Sequence, residues 1–149
     1  MTARWLAASL HLLALGIGLG AVWARGRALK SALDITALRQ VFLADALWGV
    51  AAVIWISTGL WRLLAELEKG TGYYLQNHVF LTKMALLAVV LLLELKPMFT
   101  LIRWRQAVAR GGVPDTRPAA LLARISYVQA GLIVLMVLAA TAMARGIGM

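Results

Sequence analysis

Four long apolar runs, separated by short polar segments, organise this chain. They extend from about Trp5 to Trp23, Val41 to Leu63, Val79 to Ile102 and Leu121 to Ala144. Each is close to the roughly 20 residues an α-helix needs to cross a bilayer. In lipid the backbone must satisfy its own hydrogen bonds, which excludes open sheets and predicts helices. The expected fold is an all-α, integral-membrane four-helix bundle, a single domain over residues 1–149.

Composition strengthens that picture. The hydrophobic set makes up 62% of residues and charged residues only 14%, against about 45–50% and about 25% in ordinary globular domains. Such a chain is too apolar to be disordered. It also has too few polar residues to cover the surface of a small soluble globule. With no cysteine, disulfides, thiolate metal sites and thiol chemistry are excluded.

The net charge of +9 is distributed unevenly. Arg25, Arg27, Lys30 and Arg39 are assigned to the first loop, and Arg103, Arg105, Arg110, Arg117 and Arg124 to the third. In the second loop Arg62 and Lys69 are offset by Glu66 and Glu68. Short basic loops stay cytoplasmic. Loops one and three are therefore expected inside, against anionic lipid headgroups, with both termini and loop two on the periplasmic side of a bacterial inner membrane. Because the charges flank membrane spans, nucleic acid is not an expected partner.

The first run is expected to be retained rather than cleaved as a signal peptide. It is too long for one, contains His11, and follows only Arg4. Asn77 is expected to cap the third helix and Asp115 or Thr116 the fourth, with Pro118 near its first turn. Gly70 and Gly72 break the chain after the second helix, and Gly111, Gly112 and Pro114 after the third. Trp61, Tyr73 and Tyr74 suit the outer interface, Trp23 and Trp104 the inner one. The pattern of Leu29, Leu33 and Ala37 against Arg27, Lys30 and Asp34 suggests a surface helix over residues 26–39.

Four titratable residues fall within the spans: His11, Asp45, Lys83 and Glu94. A charge at bilayer depth costs roughly 2.5–3.5 kcal/mol, so it faces the bundle and finds a partner. At about 1.5 Å per residue, His11 and Lys83 both lie about 9 Å below the outer end of their helices. Asp45 and Glu94 form an inner layer near Lys96, Arg124, Tyr127 and Gln129. Helical spacing puts Lys83, Leu87, Val90 and Glu94 on one face. It puts Asp45, Trp48, Ala52, Trp55, Gly59 and Arg62 on another. On the first helix the neighbours of His11 are the small residues Ala7, Ala14, Gly18 and Ala21. Gln129, Met136 and Met143 repeat every seven residues, with Met136 close to the level of His11. Each feature also has a purely structural reading: small residues allow close helix packing, Met fills cores, and Lys83 snorkels to the interface.

A family resemblance adds to this reading. Leu10–His11–Leu12, Asp45, Trp48, Gly49, Gly59, Arg62, Glu68–Lys69–Gly70, Tyr73–Tyr74, Asn77, Phe80, Lys83 and Pro97 run in order over roughly residues 5–105. In this the chain resembles an uncharacterised bacterial family of four-helix membrane proteins, a domain of unknown function. That family is distantly similar to the small membrane protoporphyrinogen oxidases and to the copper-resistance D-type membrane proteins. The shared features are the first-helix His, a glycine-rich second helix and an aromatic-x-x-Lys start to the third, here Phe80 to Lys83. The oxidases hold haem b, with axial ligation involving the first-helix His, and the resemblance places that role on His11. They also carry a Tyr–His pair late in the third helix, where this chain has Glu94 and no His.

Three functional expectations follow. The first is a redox protein binding haem b or a related tetrapyrrole. His11 would be its iron ligand, Met136 a second ligand, and Lys83 with Arg62 the partners of its propionates. The second is a carrier of copper, for which His and Met are suitable ligands, or of protons through Asp45 and Glu94. Four helices are few for a carrier, so it would associate with further copies. The third is an accessory subunit of a membrane complex, in which Lys83 and Glu94 specify helix packing.

Overall fold

The computed structural model describes residues 2–65, 72 and 76–147. They form four long helices: α1 (Thr2–Leu29), α2 (Ile35–Leu64), α3 (His78–Ala109) and α4 (Ala119–Ala144). All four are long and apolar enough to cross a membrane. The bundle is all-α, as the apolar runs predict. Glu66, Glu68, Lys69, Gly70, Tyr73 and Tyr74 lie outside the described residues.

The helices exceed the apolar runs, most of all at the loop ends. Apolarity stops where the lipid ends, but helical hydrogen bonding does not. Arg39, Arg103 and Arg124 therefore belong to helices rather than to loops. The surface helix expected over residues 26–39 is absent. Its first four residues complete α1, its last five begin α2, and a short turn joins them. Leu29 and Ala37 point into the bundle rather than onto a membrane surface.

Local signals account for the ends. Asp34 caps α2 by accepting from the Ala37 N–H at 2.8 Å, and Asn77 caps α3 by accepting from the N–H groups of Val79 and Phe80. The end of α3 is closed by Gly111 at φ +75°. The N–H of Gly111 bonds the Val108 carbonyl and that of Gly112 the Ala107 carbonyl, the pairing that satisfies the last open carbonyls of a helix. Neither Asp115 nor Thr116 caps α4. Pro118 occupies the cap position without a side-chain bond, because Asp115 is turned onto Arg117 instead.

Helix α1 packs against both α2 and α4, and α3 packs against α4. Ala7, Ala14, Gly18 and Ala21, the small residues flanking His11, are all buried. A Cβ on Gly18 would stand 3.3 Å from the Trp48 ring, so the α1–α2 approach uses the missing side chain. At the end formed by the two short loops, Val41, Leu101, Trp104 and Leu122 build a separate core. Trp104 is thus a core residue at 3% exposure, not an interface anchor. Its place on the buried face of α3, with Val90, Pro97 and Leu101, outweighs its polar edge.

Candidate functional site

Two polar layers cross the bundle, separated along α1 by the fourteen residues from His11 to Arg25, or about 21 Å.

The layer nearer the short loops is centred on Arg25, which is fully buried. Its guanidinium meets all four helices. From α1, Nε donates to Ser126 Oγ on α4 at 3.0 Å. Nη1 donates to Asp45 Oδ1 on α2 at 2.9 Å and to Glu94 Oε1 on α3 at 2.8 Å. Nη2 donates to Glu94 Oε2 at 2.9 Å and to Gln129 Oε1 at 2.8 Å. All five N–H donors of the side chain are therefore used. Gln129 returns its own Nε2 to Glu94 Oε2 at 2.8 Å and to the Val90 carbonyl at 3.1 Å. Arg105 closes the outer side, with Nη2 2.8 Å from Asp45 Oδ2 and 3.0 Å from the Phe42 carbonyl. Two guanidinium and two carboxylate groups balance, which is how buried charge is tolerated.

Asp45, Glu94 and Gln129 were expected in one layer, and the structure brings them together. It does not bring Lys96 or Arg124, both exposed. Arg25 is the member of the cluster that the chain does not announce, because its place among other basic residues reads as a loop charge. A signal existed: Ala7, Ala14, Gly18 and Ala21 continue at helical spacing to Arg25.

The other layer lies nearer the termini. His11 leans on α2. Trp55 Nε1 donates to His11 Nε2 at 3.0 Å, and His11 Nδ1 lies 3.0 Å from both the Trp55 carbonyl and Thr58 Oγ1. An indole nitrogen only donates, so Nε2 is the bare nitrogen and Nδ1 carries the proton. Gly59 makes room for the ring: a Cβ there would stand 3.0 Å from His11 Cε1.

Beside this clasp is a cavity of about 400 Å³, within the size range of small-ligand sites. His11 from α1, Arg62 and Trp55 from α2, Lys83 and Phe80 from α3, and Met136 from α4 all line it. The four residues expected to hold a cofactor thus converge on one chamber. The residues fit a flat anion better than an iron atom. Two cations and two aromatic rings face the space, whereas the lone pair of His11 Nε2 is occupied by Trp55.

A family described as a predicted membrane protein, DUF2214, matches residues 3–148. The chain belongs to this family. No curated protein and no solved structure matches it. These matches place this DUF2214 chain in an uncharacterised membrane family and show no similarity to the protoporphyrinogen oxidases or the copper-resistance D-type proteins.

Proposed function

We propose that this membrane protein binds a planar, carboxylate-bearing amphiphile of the tetrapyrrole class in the chamber near its termini. The observation that carries the reading is the convergence of His11, Arg62, Lys83 and Met136, one from each helix, on a single cavity. Lys83 and Arg62 supply charge for carboxylates, and Trp55 and Phe80 offer apolar faces to a ring. Haem b is one member of the class. With Nε2 of His11 held by Trp55, recognition runs through the carboxylates and ring rather than through iron. The basic short loops support an orientation with that end of the bundle at the cytoplasmic face of a bacterial inner membrane, over anionic lipid, and with the chamber toward the periplasm.

The test is a titration of the purified protein in nanodiscs with haem b and, separately, with metal-free protoporphyrin. Both are expected to bind. Lys83→Ala and Arg62→Ala are each expected to weaken both by about tenfold, corresponding to a charge-assisted hydrogen bond of ~1.5 kcal/mol. Failure of both to bind overturns the proposal. Binding of haem alone, with a spectrum that His11→Ala abolishes, would instead assign the site to iron ligation.

The carrier reading has less support. Asp45 and Glu94 are committed to Arg25 and Arg105, which opposes a proton relay through them.

A further inference from the structure

A second cavity, of about 580 Å³, opens on the outer side of the α1–α2 pair. We propose that it is a seat for one anionic phospholipid, independent of the chamber near the termini. Ile17, Leu43 and Leu47 supply apolar walls, and Arg27, Ser31 and Gln40 form the polar end at the first short loop. A Cβ on Gly20 would meet nothing within 4 Å, so the middle of the groove is open space.

The dimensions match a lipid in one leaflet. From Ile17 to Ala28 the lining of α1 advances eleven residues, about 16 Å along the helix. Half of a hydrocarbon core of roughly 30 Å is about 15 Å. An acyl chain laid beside Ile17 and Leu47 therefore brings its phosphate to the level of Arg27.

The charge also matches. Three neighbouring cations are engaged elsewhere. Arg25 is in the buried cluster, Lys30 lies over the Tyr127 ring at 5.4 Å, and Arg105 holds Asp45. The Arg27 side chain is exposed and, among the described residues, makes no hydrogen bond or ion pair. It is the open cation at the mouth of an apolar groove. The Gln40 amide beside it is a neutral donor suited to a phosphate oxygen.

The test is native mass spectrometry of the detergent-purified chain with phosphatidylglycerol or phosphatidylcholine at equal concentration. One phosphatidylglycerol is expected to remain bound in preference to phosphatidylcholine. Arg27→Ala should weaken its retention about fivefold, the equivalent of ~1 kcal/mol for one cation near an anionic lipid. Gly20→Leu, which fills the groove from an outward-facing position, should abolish retention. Arg39→Ala, an exposed cation outside the groove, should leave retention unchanged. Equal retention of the two lipids overturns the headgroup assignment, and equal loss in Arg39→Ala shows diffuse charge rather than a seat. A lipid-free dimer that Gly20→Leu dissociates assigns the groove to a second copy and also overturns the proposal.

Discussion

The Arg25 guanidinium grips the Glu94 carboxylate through two parallel hydrogen bonds of 2.8 and 2.9 Å, joining α1 to α3 across the bundle. Removing one partner of a buried pair strands the other. Arg25→Met is therefore expected to cost ~3–5 kcal/mol, read as a lowered midpoint of thermal unfolding in detergent. Arg25→Lys should not restore it, because an ammonium group cannot reproduce a five-donor planar fork. Arg25→Met combined with Glu94→Gln should recover most of the loss, since Asp45 keeps Arg105. A double variant as unstable as Arg25→Met would contradict charge balance as the role of the cluster.

The His11 clasp gives a local readout. His11→Ala leaves the Trp55 indole N–H without its acceptor, at a cost of ~1–3 kcal/mol for a buried donor. Gly59→Ala drives a methyl group toward His11 Cε1 and should displace the same bond. In a sample labelled with nitrogen-15, the Trp55 indole resonance should move in both variants. It should stay in place in His78→Ala, which lies at the start of α3.

Met136, at 1% exposure, is packed within the core while one side faces the chamber. Met136→Leu conserves volume and should cost less than ~1.5 kcal/mol, with tetrapyrrole affinity unchanged. Met136→Ala should cost ~2–5 kcal/mol by opening a void. A loss of affinity in Met136→Leu with stability intact would mark the thioether as a ligand.

In the third loop, Arg117 bonds Asp115 through its side chain and then through its backbone N–H, which holds the Asp115 carboxyl below the usual carboxylate range. A depressed folded value means the contact contributes fully above the ordinary range. It is lost as pH falls through the depressed value. Carbon-detected titration should find Asp115 ionising at lower pH than a free aspartate, and Arg117→Ala should return it to the ordinary range. Both groups are exposed, so global stability should hardly change.

Much of this arrangement is legible in the chain, for identifiable reasons. Helix existence follows from run length, and the inward faces follow from 3.6-residue spacing. Lys83, Val90 and Glu94 point inward as expected, and His11 stands among its small neighbours. Charge context misleads at Arg25 and Arg105. Basic residues near loops usually report topology, and here they also neutralise Asp45 and Glu94. The indole bond to His11 was not legible, because spacing along one helix does not reveal which group on another meets it. The surface helix over residues 26–39 failed for a related reason. Amphipathicity distinguishes a buried face from a wet one, but not a lipid surface from a neighbouring helix.

The guanidinium of Arg25 draws its five acceptors from Asp45, Glu94, Ser126 and Gln129, all of which are synthesised after it. When the first hairpin leaves the ribosome, only Asp45 is there to receive it. Chains halted before α4 would thus carry an incompletely coordinated cation, because the Ser126 and Gln129 acceptors arrive only with the last helix.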